Sequence, residues 1–129
     1  MEEKKEIVVL ITANQDFSDD LAKELSKISG YEIIAFKNGE DAIIFLNNNC
    51  KDIILIICDL VLHGDSGYVI IEKIRNTAKI NRLFIMGTSH IGTNRKIFKE
   101  KGANKFIIRD PNRLKMAKEI EEILKLRWV

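Results

Sequence analysis

Three kinds of reactive side chain stand directly after apolar runs, a placement that presents functional groups at the ends of buried strands. Thr12-Ala13-Asn14 follows the run 7–11, Asp59 follows 53–58, Thr88-Ser89-His90 follows 83–86, and Arg109-Asp110-Pro111 follows 105–108. If these runs lie side by side, one carboxylate (Asp59), one hydroxyl (Thr88) and one cation (Arg109) converge. A lone ionised acid between a hydroxyl and a guanidinium can accept a phosphoryl group or hold a cation. A strand-end Asp that caps the following loop is the plainer alternative, and the residues alone leave both open.

The elements that must position these groups are legible as alternating periodicities. Runs rich in Ile, Val and Phe at 7–12, 32–36, 53–58, 83–88 and 105–109 read as strands. Three of them are almost continuously apolar, as suits strands covered on both faces of a parallel sheet. Between them Phe17, Leu21, Leu25 and Ile28 share one helical face; Val69, Ile70, Lys73 and Ile74 mix a face with a charge; Leu114, Ala117, Ile120, Ile123 and Leu124 line a last helix over 112–127. Asp16 reads as the cap of the first helix and Gly30 as its stop. Gly39 and Glu40 open a short helix to Leu46, closed by Asn47-Asn48-Asn49, and a fourth spans 93–101 before Gly102. Strand and helix alternate five times, which builds an α/β parallel sheet with helices on both faces through right-handed crossovers. Functional groups then collect beyond the carboxyl ends of the strands, at the switch in strand order.

Composition limits the function classes. With 46% hydrophobic and 31% charged residues and a single Pro in 129 residues, residues 1–129 read as one well-packed domain. A formal net charge of +2 is too small for the basic field that nucleic acid demands, so no direct nucleic-acid partner is expected. The mixed charges of Met1-Glu2-Glu3-Lys4-Lys5-Glu6 lead into only about six apolar residues, short of a signal or a span, so a cytoplasmic location without membrane contact is expected. Cys50 and Cys58 fit neither a redox pair nor a zinc set and read as small apolar side chains. Gly64-Asp65-Ser66-Gly67 has the look of a serine-protease nucleophile motif, but strand–helix alternation is the wrong context. No G-x-G-x-x-G turn follows the first strand, and the four-residue interval from Asp59 to His63 misses the cobalamin pattern. No P-loop, HExxH or paired-carboxylate hydrolase pattern is present, so no general enzyme is expected.

The run Asp59-Leu60-Val61-Leu62-His63-Gly64-Asp65-Ser66-Gly67 resembles the signature of response-regulator receiver domains, in which a phosphoacceptor Asp ends the third strand and a Gly opens the third helix eight residues later. Thr88 falls where that family carries its switch Ser or Thr. Gly102-Ala103-Asn104-Lys105-Phe106-Ile107-Ile108-Arg109 resembles the family's Gly-Ala segment, which reaches a Lys seven residues after the Gly. The resemblance implies a flavodoxin-like (βα)5 domain with strand order 2-1-3-4-5. It also implies Asp59 as phosphoacceptor, Thr88 as the hydroxyl on the phosphoryl group, Phe106 as the coupled switch aromatic, and the Val61 carbonyl as a Mg²⁺ ligand. The implied partners are a histidine kinase or phosphotransfer protein, and a downstream protein at the face formed by the fourth helix, fifth strand and fifth helix. A homodimer through that surface is a further option, which Trp128-Val129 would extend; the mixed charges Lys115, Lys118, Glu119, Glu121, Glu122 and Lys125 otherwise mark a solvated face.

The chain departs from the family at the metal. Thr12 and Ala13 stand where two acids usually end the first strand, so Asp59, Val61 and the amide oxygen of Asn14 form at best a weak Mg²⁺ site. Arg109 replaces the Lys, keeping the charge but presenting a planar fork, and it could pair permanently with Asp59. The usual Pro after that Lys is displaced to Pro111, and His63 replaces a loop Pro, either solvated or as a titratable group near Asp59. Two functions of different class follow: a phosphorelay receiver that still takes a phosphoryl group at Asp59, or a pseudo-receiver that acts as a protein-interaction module without it. The missing acids and Lys tip the balance slightly to the second. Either a stand-alone receiver or a receiver from a longer protein fits the chain.

Overall fold

The structure, a computed structural model, describes residues 5–127; readings placed on residues 1–4 and on Trp128 and Val129 lie outside them. The order is β1 (Ile7–Ile11), α1 (Gln15–Ser29), β2 (Glu32–Phe36), α2 (Gly39–Asn49), β3 (Ile53–Asp59), α3 (Gly67–Arg75), β4 (Ile85–Ser89), α4 (Asn94–Lys101), β5 (Lys105–Ile108) and α5 (Arg113–Arg127). The strands form one parallel sheet in the order β2-β1-β3-β4-β5. This is the flavodoxin-like (βα)5 architecture expected from the resemblance, with β1 and β3 adjacent at the switch in strand order.

Every residue of β1 and β3 is buried, which explains why these two runs are apolar without alternation. Side chains divide between the faces. Val8, Leu10, Ile57, Met86 and Ile107 pack under α1 and α5 through Phe17, Leu21, Leu25, Met116 and Ile120. Val9, Ile11, Ile56, Cys58, Ile85 and Phe106 pack under α2, α3 and α4 through Leu46, Ile70, Ile74 and Phe98. Cys58 is a buried free thiol, and Cys50 a half-buried one. Burial first, and the neighbouring Asp59 second, push the Cys58 thiol well above its ordinary pKa, so it stays protonated and apolar. No described helix is long and apolar enough to cross a membrane.

Most boundaries fall within a residue of the sequence reading, and at three places where the two differ a side chain competes for backbone groups. The cap of α1 is Asn14, whose Oδ1 accepts the Phe17 N–H at 3.0 Å, and Asp16 lies in the first turn. Asn47 and Asn49 do not close α2. Their amides donate to the Ile43 and Phe45 carbonyls one turn back, at 3.1 and 2.9 Å, and the helix runs through them. β4 begins at Ile85 instead of Leu83, because the Leu83 carbonyl is taken by Arg75 Nη1 at 2.7 Å. The same guanidinium donates to the Gly102 carbonyl and to Asn104 Oδ1, both at 2.8 Å, and so ties α3 to the approach of β5.

Candidate functional site

Alternation along four strands sends Thr12, Asp59, Thr88 and Arg109 to the α1/α5 side, at the carboxyl edge of the sheet. Asp59 is buried at 3% exposure. Its Oδ2 accepts the Thr12 hydroxyl at 2.7 Å and an ion-paired hydrogen bond from Arg109 Nη2, and its Oδ1 accepts the Leu60 N–H at 2.8 Å. The plainer reading of Asp59 as a loop cap is therefore part of the geometry. The acid stands at the end of its strand, and the guanidinium covers it.

Arg109 is held from three sides. Nη2 meets Asp59, Nη1 lies 2.9 Å from His90 Nε2, and the guanidinium carbon sits 4.3 Å above the Phe17 ring. A guanidinium has donors only, so His90 accepts at this nitrogen. The cation–π contact and the buried, hydrogen-bonded carboxylate compensate the desolvation of a charge that is only 7% exposed. Its backbone N–H donates to the Ser89 carbonyl at 2.9 Å, which fixes the side chain's point of origin.

The neutral donors expected to hold Mg²⁺ each already accept a hydrogen bond. The Val61 carbonyl accepts the Ala13 N–H at 3.2 Å, and Asn14 Oδ1 caps α1. Among the described residues no group of three His, Cys, Asp or Glu side chains converges on a metal position. A guanidinium beside Asp59 would repel a divalent ion at about 4 Å by roughly 8 kcal/mol at an effective dielectric of 20. This donor set does not fit a divalent metal.

Thr88 and Phe106 are not brought together. Phe106 pairs in register with Gly87, and Thr88 pairs with Asp59 on one side and Ile107 on the other. Period-two alternation then puts the Thr88 hydroxyl and the Phe106 ring on opposite faces. Thr88 Oγ1 is fully buried and finds no hydrogen-bond partner among the described residues. The hydroxyl that binds Asp59 comes from Thr12 instead. Beside Phe106, the glycine leaves room for the Phe98 ring, whose centroid lies 5.4 Å from that of Phe106. His63 is exposed and its backbone N–H donates to the Lys37 carbonyl at 2.8 Å. Sequence reasoning missed Thr12 and His90 as partners of the site. Both were visible as strand-end residues, but neither has a charge that marks it.

Gly67 guards the geometry from behind. A Cβ there would run into the carbonyl of Asp59 itself, a backbone atom with no freedom to yield, and the Gly67 N–H donates to the Leu60 carbonyl at 2.8 Å. Gly67→Ala is expected to destabilise the protein by about 1–3 kcal/mol by overpacking. In an NMR comparison, shifts at Asp59, Leu60 and Thr12 should exceed those elsewhere; unaltered Asp59 signals would contradict this.

A cavity of about 390 Å³ opens beside the acid, between Ala13, Val61, His90 and Arg109. Val61 and Ile91, 67% and 57% exposed, stand on its rim.

No family model matches the chain. It is 27% identical over 109 residues, 83% of its length, to the rice (Oryza sativa) protein described as two-component response regulator-like PRR37. The chain spans 15% of the length of that relative. Among solved structures, the phosphorylated cyanobacterial phytochrome response regulator RcpA superposes with a TM-score of 0.82 at 18% identity, covering 93% of this chain and 94% of that one. The Mn²⁺-bound form of response regulator Rcp1 gives a TM-score of 0.75 at 23% identity, covering 91% and 92%. The sheet order and the four helical crossovers thus belong to one known architecture: this chain has the receiver-domain fold of two-component response regulators.

Proposed function

We propose that the chain is a receiver module of two-component signalling that acts through protein contacts, with Asp59 neutralised by Arg109 in place of phosphorylation. The observation that carries this reading is the buried Asp59–Arg109 pair, closed by the Thr12 hydroxyl. In-line attack on a phosphodonor needs a free carboxylate oxygen and a cation to gather the phosphoryl charge. Here Oδ2 is bonded twice and the cation is already neutralised by the acid. The partner surface in this reading is the face of α4, β5 and α5, where Ile97, Ile108 and Leu114 are partly exposed. Its partners are a downstream protein, a second copy of the chain, or a histidine kinase or phosphotransfer protein that docks without transfer. Residues 1–129 act as one domain in the cytoplasm, with no turnover of substrate.

The phosphoacceptor reading retains two supporting observations: among the described residues Asp59 Oδ1 accepts a single hydrogen bond, from Leu60, and a cavity lies beside the residue. Incubating the purified protein with acetyl phosphate and Mg²⁺ and measuring the intact mass separates the two. No added phosphoryl group is expected. An adduct that disappears in Asp59→Asn would overturn the pseudo-receiver reading and restore Asp59 as acceptor.

A further inference from the structure

We infer that Arg109 is this site's built-in cation, so that the wild-type pocket refuses Mg²⁺ and Mn²⁺, and that Ala13 and Arg109 are the residues that set this refusal. The inference rests on the permanence of the Asp59–Arg109 pair in the function proposed above. Divalent ions of this kind need hard oxygen donors with an excess of negative charge, completed by water. The pocket offers one carboxylate and one guanidinium, which sum to zero. The two other oxygens expected at the site are neutral and each already accepts a hydrogen bond, the Val61 carbonyl from the Ala13 N–H and Asn14 Oδ1 from the first turn of α1, so neither adds the negative charge a divalent ion needs.

The guanidinium also cannot step aside at little cost. It would leave Asp59, His90 and the Phe17 face together, from a backbone pinned to Ser89. A Lys at the same position would keep one charge but lose the fork that grips Asp59 and His90 at once. Ala13 is the opening in this arrangement: it is half-buried, it lines the cavity next to Asp59, and its methyl group occupies a position from which a carboxylate would face the same space. The acid-to-metal balance is thus set by two side chains, one that supplies a positive charge and one that withholds a negative charge.

A titration of the full chain with Mn²⁺, followed by the electron paramagnetic resonance signal of the free ion, tests this. Wild-type protein is expected to take up no Mn²⁺ that Asp59→Asn abolishes. The double variant Ala13→Asp, Arg109→Lys is expected to bind at least about a hundredfold more tightly than wild type, and to lose that binding when Asp59→Asn is added. If circular dichroism shows that the double variant does not fold, Ala13→Asp alone replaces it, with an expected gain of about tenfold. Asp59-dependent Mn²⁺ uptake by the wild type overturns the inference, as does a folded variant that binds no better than wild type. A phosphoryl adduct formed without metal would overturn the proposed function and leave this inference standing.

Discussion

Arg109→Ala is expected to lower the stability of the protein by about 3–5 kcal/mol, the range for removing one partner of a buried ion pair. The loss is large because it is one-sided. Asp59 is 3% exposed, and without the guanidinium it retains only the Thr12 hydroxyl and the Leu60 N–H against the desolvation of its charge. The variant also leaves His90 Nε2 without its donor and strips the cation from the Phe17 ring. Asp59→Asn removes the charge but keeps the shape, so in the Arg109→Ala background it should restore part of the loss. The two substitutions together should be less harmful than the sum of each alone, with an interaction energy of about 1–3 kcal/mol. Urea denaturation of the four proteins at constant slope measures the cycle. Additive effects, or a loss below about 1 kcal/mol for Arg109→Ala, would mean that the pair is incidental to the fold. Arg109→Lys separates charge from geometry: it should fall between wild type and Arg109→Ala, because the ammonium can reach Asp59 or His90 but cannot span both.

The architecture was legible because its signals are strong and redundant. The continuous apolar runs of β1 and β3 announce strands buried on both faces, and the stripe Phe17, Leu21, Leu25 marks α1 without ambiguity. The candidate site was legible in part. Asp59 and Arg109 stand out because a charge at the end of an apolar run has few structural uses, and their pairing was among the alternatives the sequence offered. What escaped were matters of one residue or one hydrogen bond. Thr88 and Gly87 are neighbours in sequence, yet a strand sends them to opposite faces, and spacing alone did not fix which of them stands beside Phe106. Asn14 and Asp16 both suit a helix cap, and only the bond to the Phe17 N–H chooses between them. Thr12 looked like the loss of an acid. In the fold it is a gain, because its hydroxyl satisfies the carboxylate that an acid at that position would have repelled.

The consequence of Gly87 reaches furthest in α4, where Phe98→Ala is expected to cost about 3–5 kcal/mol and to release the helix from the sheet. Phe98 is the only buried side chain of α4, whose other residues are mostly polar and exposed. Its ring lies against Gly87, edge-on to Tyr68 at 4.8 Å between centroids and beside Phe106, which carries Arg95 of α4 at 5.3 Å on its ring. One side chain therefore does two things: it anchors α4, and it holds the Phe106 ring in the core at 5% exposure. With the anchor gone, α4 has little apolar surface left to bury, so its amides should exchange through a local opening well below the global free energy of unfolding. The buried strands β1 and β3 should keep exchanging only through global unfolding. Hydrogen exchange resolved by segment checks this, and equal loss of protection in α4 and β3 would show that Phe98 is merely part of a common core. Phe98→Leu provides the control: it refills most of the volume, so it should restore α4 protection while leaving Phe106 without its aromatic neighbour. If the α4, β5 and α5 face is the partner surface proposed above, partner binding should fail in Phe98→Ala and return with the helix in Phe98→Leu. Failure of binding in both would assign the contact to the orientation of Phe106 itself.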